Sequence, residues 1–168
     1  AKDISDGASF DNNIMCISEK CIVAGESIVP AFVKQLEENG VYYIDNETEM
    51  LQLTKTVLNH DMKMVRKMEG KSAMDILEEA GIHPNRPVRL VVVRTFAKHP
   101  LVLEECLMPV VPLVAVADFE EALETALFTE QGYRHTAMVH SQCIDRLSKA
   151  AKIMNTTVFI KNGSSLAG

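Results

Sequence analysis

The stretch Val88-Arg-Leu-Val-Val-Val93 decides the fold class of this chain. Apart from Arg89 it is a continuous apolar run, the pattern of a strand covered on both faces. Pro84 and Pro87 mark a loop before it, and Thr95–Pro100 is a loop after it. Leu101–Cys106 reads as a short helix or turn, and Val110–Val116 is a second buried strand. Pro112 inside that second run points to a sheet edge or a bulge, because proline has no N–H for the ladder.

Working outward, the same alternation of strand and helix recurs. Toward the amino terminus, Ser72 stands three residues before Asp75 as a capping box, and Gly81 closes that helix. Asp61–Lys71 mixes Lys, Arg and Met and reads as strand or loop. Asn46 caps a helix running to about Asn59, with Glu47 and Glu49 in its first turn. Val41–Ile44 is a short strand. A helix covers about Glu26 to Glu38, with Pro30 tolerated in its first turn and Gly40 just past its end. Glu19–Ala24 is a strand.

Toward the carboxyl terminus, Asp118 and Glu121 form a second capping box. The helix they open carries an apolar stripe at Ala122, Leu123, Ala126 and Leu127. Thr136–His140 is a strand, Ser141 starts a helix reaching Ile153, Thr157–Lys161 is a last strand, and Asn162–Gly168 is a loop. The intervals between strands are too long for hairpins. The fold expected is therefore a three-layer α/β/α domain with a mostly parallel sheet, in one piece over residues 1–168.

Bulk properties exclude some roles. The chain has 168 residues, 47% hydrophobic and 24% charged, enough for one domain with a real core. Its net charge of -6 argues against nonspecific nucleic-acid binding, which needs clustered Lys and Arg. No run approaches the ~20 apolar residues of a membrane span. The chain opens Ala-Lys-Asp without a signal-peptide pattern or an initiator Met, so a processed end or a cut within a longer chain is expected. Cys16, Cys21, Cys106 and Cys143 are scattered, form no C-x-x-C pair and suit a reducing compartment. The histidines do not cluster, and no metal site is expected. Neither G-x-G-x-x-G nor G-x-x-x-x-G-K-[ST] nor G-x-S-x-G occurs.

One cysteine stands in a distinctive setting. Cys16 lies between the polar turn Asp11-Asn12-Asn13 and the apolar run Lys20 to Ala24. A thiol at such a junction can face a cleft as a nucleophile, or it can pack as a small hydrophobe. Among the acidic pairs, Glu104–Glu105 differs from the solvated helix faces because it directly precedes an apolar run at Cys106 to Val110.

Three separated stretches resemble one family. Gly7-Ala-Ser-Phe-Asp-Asn-Asn13 with Cys16-Ile-Ser-Glu-Lys20 resembles the catalytic-cysteine motif of the CoA-acylating aldehyde dehydrogenases, the propionaldehyde and acetaldehyde enzymes of bacterial microcompartments above all. Glu105-Cys-Leu-Met-Pro-Val110 is similar to their E-x-L-M-P segment. His135-Thr-Ala-Met-Val-His-Ser141 and Thr157-Val-Phe-Ile-Lys-Asn-Gly163 are similar to stretches further on. The order is collinear over essentially the whole chain, and Asp61–Lys71 matches least.

The resemblance implies a site and a chemistry. Cys16 would attack a short-chain aldehyde, pass through a thiohemiacetal and a thioacyl enzyme, and hand the acyl group to coenzyme A. NAD would take up the hydride. Glu105, with Pro109 in the same segment, would hold the nicotinamide ribose. Asn12 and Asn13 would serve the turn or donate to the oxyanion. His135 would stabilise the site, lie near the CoA channel, or be structural, and His140 would be structural. Cys21, Cys106 and Cys143 would be packing residues. The family's subunits are longer, so the NAD-binding Rossmann domain is expected to be absent from this chain, and the chain alone to be inactive. A homo-oligomer, in the cytoplasm or enclosed in a microcompartment, is implied for the full-length parent. Two other readings stay open: a hydrolytic NAD(P)-dependent aldehyde dehydrogenase giving an acid, and a non-catalytic α/β binding or scaffold domain.

Overall fold

The computed structural model describes all of residues 1–168. Four strands, β1 (Ile22–Gly25), β2 (Val41–Ile44), β3 (Leu90–Thr95) and β4 (Val110–Val116), form an all-parallel sheet in the order β1-β4-β3-β2. The last two strands, β5 (Thr136–Val139) and β6 (Val158–Lys161), pair parallel in a separate two-stranded sheet. The α/β class and the parallel pairing agree with expectation. The division of the strands into two sheets could not be read from local pattern.

The central strands are buried on both faces, as the apolar run at 88–93 predicts. Side chains alternate across a sheet, so Val91 and Val93 enter one core and Leu90 and Val92 the other. The Val91 face is covered by α3 (Glu47–Val57), α4 (Ala73–Glu79) and α5 (Pro100–Leu103) through Leu53, Val57, Ile76, Leu77 and Leu101. The Leu90 face is covered by α1 (Lys2–Ser9) and α2 (Val29–Glu38) through Ala8, Val29 and Leu36. These are the three expected layers.

Local signals act as read at several helix ends. Asn46 accepts the N–H of Glu49, and Ser72 accepts that of Asp75. Asp118 accepts the N–H groups of Glu120 and Glu121, while Glu121 reaches back to the N–H of Ala117 at 2.7 Å. The last pair is a reciprocal capping box opening α6 (Phe119–Glu130).

Other expectations are corrected. Pro112 lies in β4, a central strand rather than an edge. The β1 ladder begins only at Leu113, so at Pro112 the strand has a neighbour on one side and the missing N–H is tolerated. The first strand starts at Ile22, leaving Glu19 and Lys20 in a loop. Residues 61–71 are loop with one 3-10 turn at Arg66–Met68. In α6 only Leu123 of the predicted stripe is fully buried and Leu127 is exposed, because the helix packs on the edge strand β1, a narrow bed. The helix expected from Ser141 is α7 (Ile144–Met154), with Cys143 as its N-cap. Cys143 is exposed and not a packing residue. Helix α1 was not predicted. Its only fully buried residues are Ser5, Gly7 and Ala8, so it shows no apolar stripe.

His99 caps α5, its Nδ1 accepting the Leu101 N–H at 3.2 Å. Burial holds its imidazole below the ordinary histidine value of 6.5. The unfolded chain therefore binds the extra proton first. Stability is full above pH 6.5 and is lost as pH falls from there through the lower folded value. His140 shifts the same way, through desolvation first and the amino terminus second. We expect the melting temperature to drop between pH 7.5 and 5.5, and His99→Asn, which keeps an acceptor at the cap, to drop less. Identical pH profiles for the two proteins would exclude this assignment.

Candidate active site

The Cys16 turn is built from strained backbone. Asp11, Asn12 and Asn13 have φ of 46°, 51° and 61°. Three successive non-glycine residues in the left-handed region are costly, and Asn and Asp bear it best. Side chains hold the shape. Asn12 Nδ2 donates to the Gly70 carbonyl at 2.9 Å, and Asn13 Nδ2 donates to the Glu19 carbonyl at 3.0 Å. Lys20 Nζ donates to both Asn13 O and Asn13 Oδ1, each at 2.5 Å. Each asparagine amide thus spends one donor on a backbone carbonyl outside residues 11–13. Beyond the turn Cys16 is exposed, and its own N–H meets no acceptor in the chain.

Topology brings Glu105 to the same place. The Cys16 loop leads into β1 and the Glu105 loop leads into β4, and these strands are neighbours. Both loops therefore meet at the amino-terminal edge of the sheet. Gly70 joins them: its carbonyl accepts from Asn12 and its N–H donates to Leu107 O at 2.9 Å. A side chain at Gly70 would meet Ile14 Cδ1 at 2.8 Å, and its φ is +68°. Of the acidic pair, Glu104 is used structurally, bonded to Lys63 Nζ at 2.8 Å and to the Met64 N–H at 3.2 Å. Glu105 is exposed, and its carboxylate makes no hydrogen bond or ion pair within the chain. Pro109 is buried, its carbonyl accepting the Val91 N–H at 2.9 Å.

Two residues that sequence reading passed over complete the arrangement. Glu19 is buried, and its carboxylate accepts the Ser165 N–H at 3.0 Å and the Ser165 hydroxyl at 2.8 Å. Lys20 is half-buried beside the turn. The visible signal was an adjacent acid and base at the start of an apolar strand, where solvated charges are out of place. Ser165 follows β6, so the exit end of the β5–β6 pair touches the Cys16 segment. His135 stands at the other end, exposed, with Nδ1 2.6 Å from Thr136 Oγ1. His140, at the exit end, has Asp3 and Glu19 among its charged neighbours.

The four thiols divide into two classes. Burial pushes Cys21 and Cys106 up to about 12, and the charge of Glu104 adds to the shift at Cys106. Cys16 and Cys143 are exposed. Iodoacetamide at pH 7 is expected to modify Cys16 and Cys143 and to leave Cys21 and Cys106 intact, read by peptide mass spectrometry. Labelling of Cys106 in the folded chain would contradict this packing. No group of three His, Cys, Asp or Glu side chains is placed to share a metal ion. No helix is long and apolar enough to cross a membrane.

Comparison with known proteins accords with this geometry. No protein-family model matches the chain. It is 41% identical over 170 residues to the CoA-propanoylating propanal dehydrogenase of Salmonella typhimurium, covering 100% of this chain and 36% of that enzyme. An engineered glycolyl-CoA reductase with bound NADP+ superposes with a TM-score of 0.94 at 39% identity, covering 98% of this chain and 37% of the other. A propionaldehyde dehydrogenase from the fucose-utilisation microcompartment of Clostridium phytofermentans superposes with a TM-score of 0.93 at 34% identity, covering 98% and 38%. The chain thus spans about a third of the length of the relatives it matches. Along its whole length the chain is similar in both sequence and fold to part of the CoA-acylating aldehyde dehydrogenases.

Proposed function

We propose that residues 1–168 form the cysteine-bearing catalytic domain of an enzyme that converts a short-chain aldehyde, NAD and coenzyme A to acyl-CoA and NADH. The observation that carries this reading is an exposed Cys16 and an unpartnered Glu105 on loops that lead into adjacent strands, in a chain similar throughout to enzymes so named. The chain has no glycine-rich dinucleotide fingerprint, so most of the nucleotide-holding surface is assigned to other parts of the subunit.

The chemistry follows from these residues. The Cys16 thiolate attacks the aldehyde carbon, a C–S bond forms, and the carbonyl oxygen becomes an oxyanion. The free N–H of Cys16 is available to donate to that oxygen. NAD, when bound, takes up the hydride lost from the aldehyde carbon. The Glu105 carboxylate has its acceptor sites free for ribose hydroxyls, which fits a role in orienting the nicotinamide. Cys16 is left as a thioester, which the thiol of coenzyme A attacks, releasing acyl-CoA and restoring the Cys16 thiol. A thioester suits this exchange because sulfur leaves readily.

The test is an assay of the intact subunit with acetaldehyde and propanal, with and without coenzyme A. NADH and an acyl thioester should both appear only when coenzyme A is present. Free acid formed at the same rate without it would favour the hydrolytic reading, and no reduction with any short aldehyde would favour the scaffold. The chain alone is expected to bind NAD weakly, which calorimetry reads. Assembly as a homo-oligomer and enclosure in a microcompartment belong to the same proposal; the Clostridium phytofermentans relative supports the latter.

A further inference from the structure

Lys20 has no part in the chemistry above, yet its placement is unusual. A lysine at the start of a strand ordinarily carries its ammonium into water. Here two of its three donors are fixed at 2.5 Å on the backbone and side-chain oxygens of the fully buried Asn13. Those two contacts close the strained 11–13 turn that presents Cys16. The groups whose charges act on the ammonium are Glu105, Cys106, Cys16 and Glu19, in that order, while desolvation is the larger opposing influence. Glu19 faces Ser165, and Cys106 is a buried neutral thiol.

We propose that Lys20 is a positioning residue for Cys16, fastening through its two contacts on Asn13 the left-handed turn that presents the thiol. The proposal rests on Cys16 being the nucleophile for its meaning in catalysis, but its physical content is separate and is read without aldehyde, NAD or coenzyme A. Holding the turn requires a donor long enough to reach both Asn13 oxygens, which arginine supplies, the shorter glutamine supplies in part and methionine does not.

The test measures iodoacetamide alkylation of Cys16 at pH 7 in the full chain, with exposed Cys143 as internal reference. Lys20→Met removes the donor, Lys20→Gln keeps a shorter one, and Lys20→Arg keeps one of full reach. Cys16 should react roughly five-fold more slowly in K20M, the scale of one lost hydrogen bond. In K20R the rate should stay within about three-fold of the unsubstituted chain. Circular dichroism establishes that each variant is folded, and if K20M is not, K20Q against K20R decides. Wild-type alkylation in K20M, or K20R no faster than the shorter-donor variant K20Q, overturns the proposal. Failure of the catalytic reading would show elsewhere, as activity of the intact enzyme surviving Cys16→Ala.

Discussion

Cys16→Ala in the intact subunit should lower kcat/KM for aldehyde on the order of 10⁴-fold or more, the loss that follows when a covalent nucleophile is removed. The same change should leave the melting temperature nearly unmoved. Cys16 is exposed and makes no side-chain hydrogen bond, and surface substitutions of this kind usually fall within about 0.5 kcal/mol. This pairing separates the two roles open to the residue from sequence. A packing thiol would give the opposite result, a stability loss with activity retained in the surviving folded protein. Aldehyde-dependent NADH formation within ten-fold of wild type would end the assignment of Cys16 as nucleophile.

The second large effect falls where helix propensity gives the wrong sign. Gly7 lies in α1, where alanine would ordinarily stabilise by about 1 kcal/mol. A Cβ at Gly7 would stand 2.2 Å from Glu19 Oε2, 2.6 Å from Oε1 and 2.5 Å from Ser165 Oγ. Gly7→Ala must therefore displace a buried carboxylate and should destabilise by roughly 2–3 kcal/mol, the range of overpacked interiors. Glu19→Ala leaves the Ser165 N–H and hydroxyl without their acceptor and should cost about 2–4 kcal/mol. The double variant should lose less than the sum, because the alanine at position 7 no longer meets the carboxylate. Urea denaturation reads all three. A Gly7→Ala protein as stable as wild type would refute the close approach of α1 to Glu19.

These two predictions sit on one structural feature. Glu19 joins α1, the Cys16 segment and the 3-10 turn Ser165–Ala167, stretches far apart in sequence. The acid thus anchors the same segment that Lys20 and Asn13 shape. Loosening this anchor is expected to lower thiol reactivity as well as stability, since the turn at 11–13 is held by contacts rather than by preference.

Much of this molecule was legible in the chain itself. Val41–Ile44 and Val110–Val116 are strands at the predicted residues, and the caps at Asn46, Ser72 and Asp118 work as their spacing implies. These are local effects, in which a side chain answers a backbone group within three residues. The continuous apolar runs also announced burial on both faces, since only a doubly covered strand avoids polar alternation. Cys16 and Glu105 were singled out by their motifs. What local pattern could not give was that their loops lead into neighbouring strands, β1 and β4, although β2 and β3 separate those strands in the chain.

The rest was decided by tertiary contact. Helix α1 lacks an apolar stripe and exists because Gly7 and Ala8 fit against distant residues, with Asp6 bound to Arg89 at 2.8 Å. Pro112 could enter a central strand because its neighbour begins one residue later. Glu104 and Glu105 are alike in sequence; the loop at Lys63 and Met64 occupied one and left the other free. By itself the sequence determined the class of fold, the capped starts of three helices and the motif around Cys16, because those follow from short-range chemistry. Which charges were buried, which carboxylate stayed open and what faces Cys16 were settled only when the folded chain placed remote groups within hydrogen-bonding distance, where desolvation and pairing have to be resolved together.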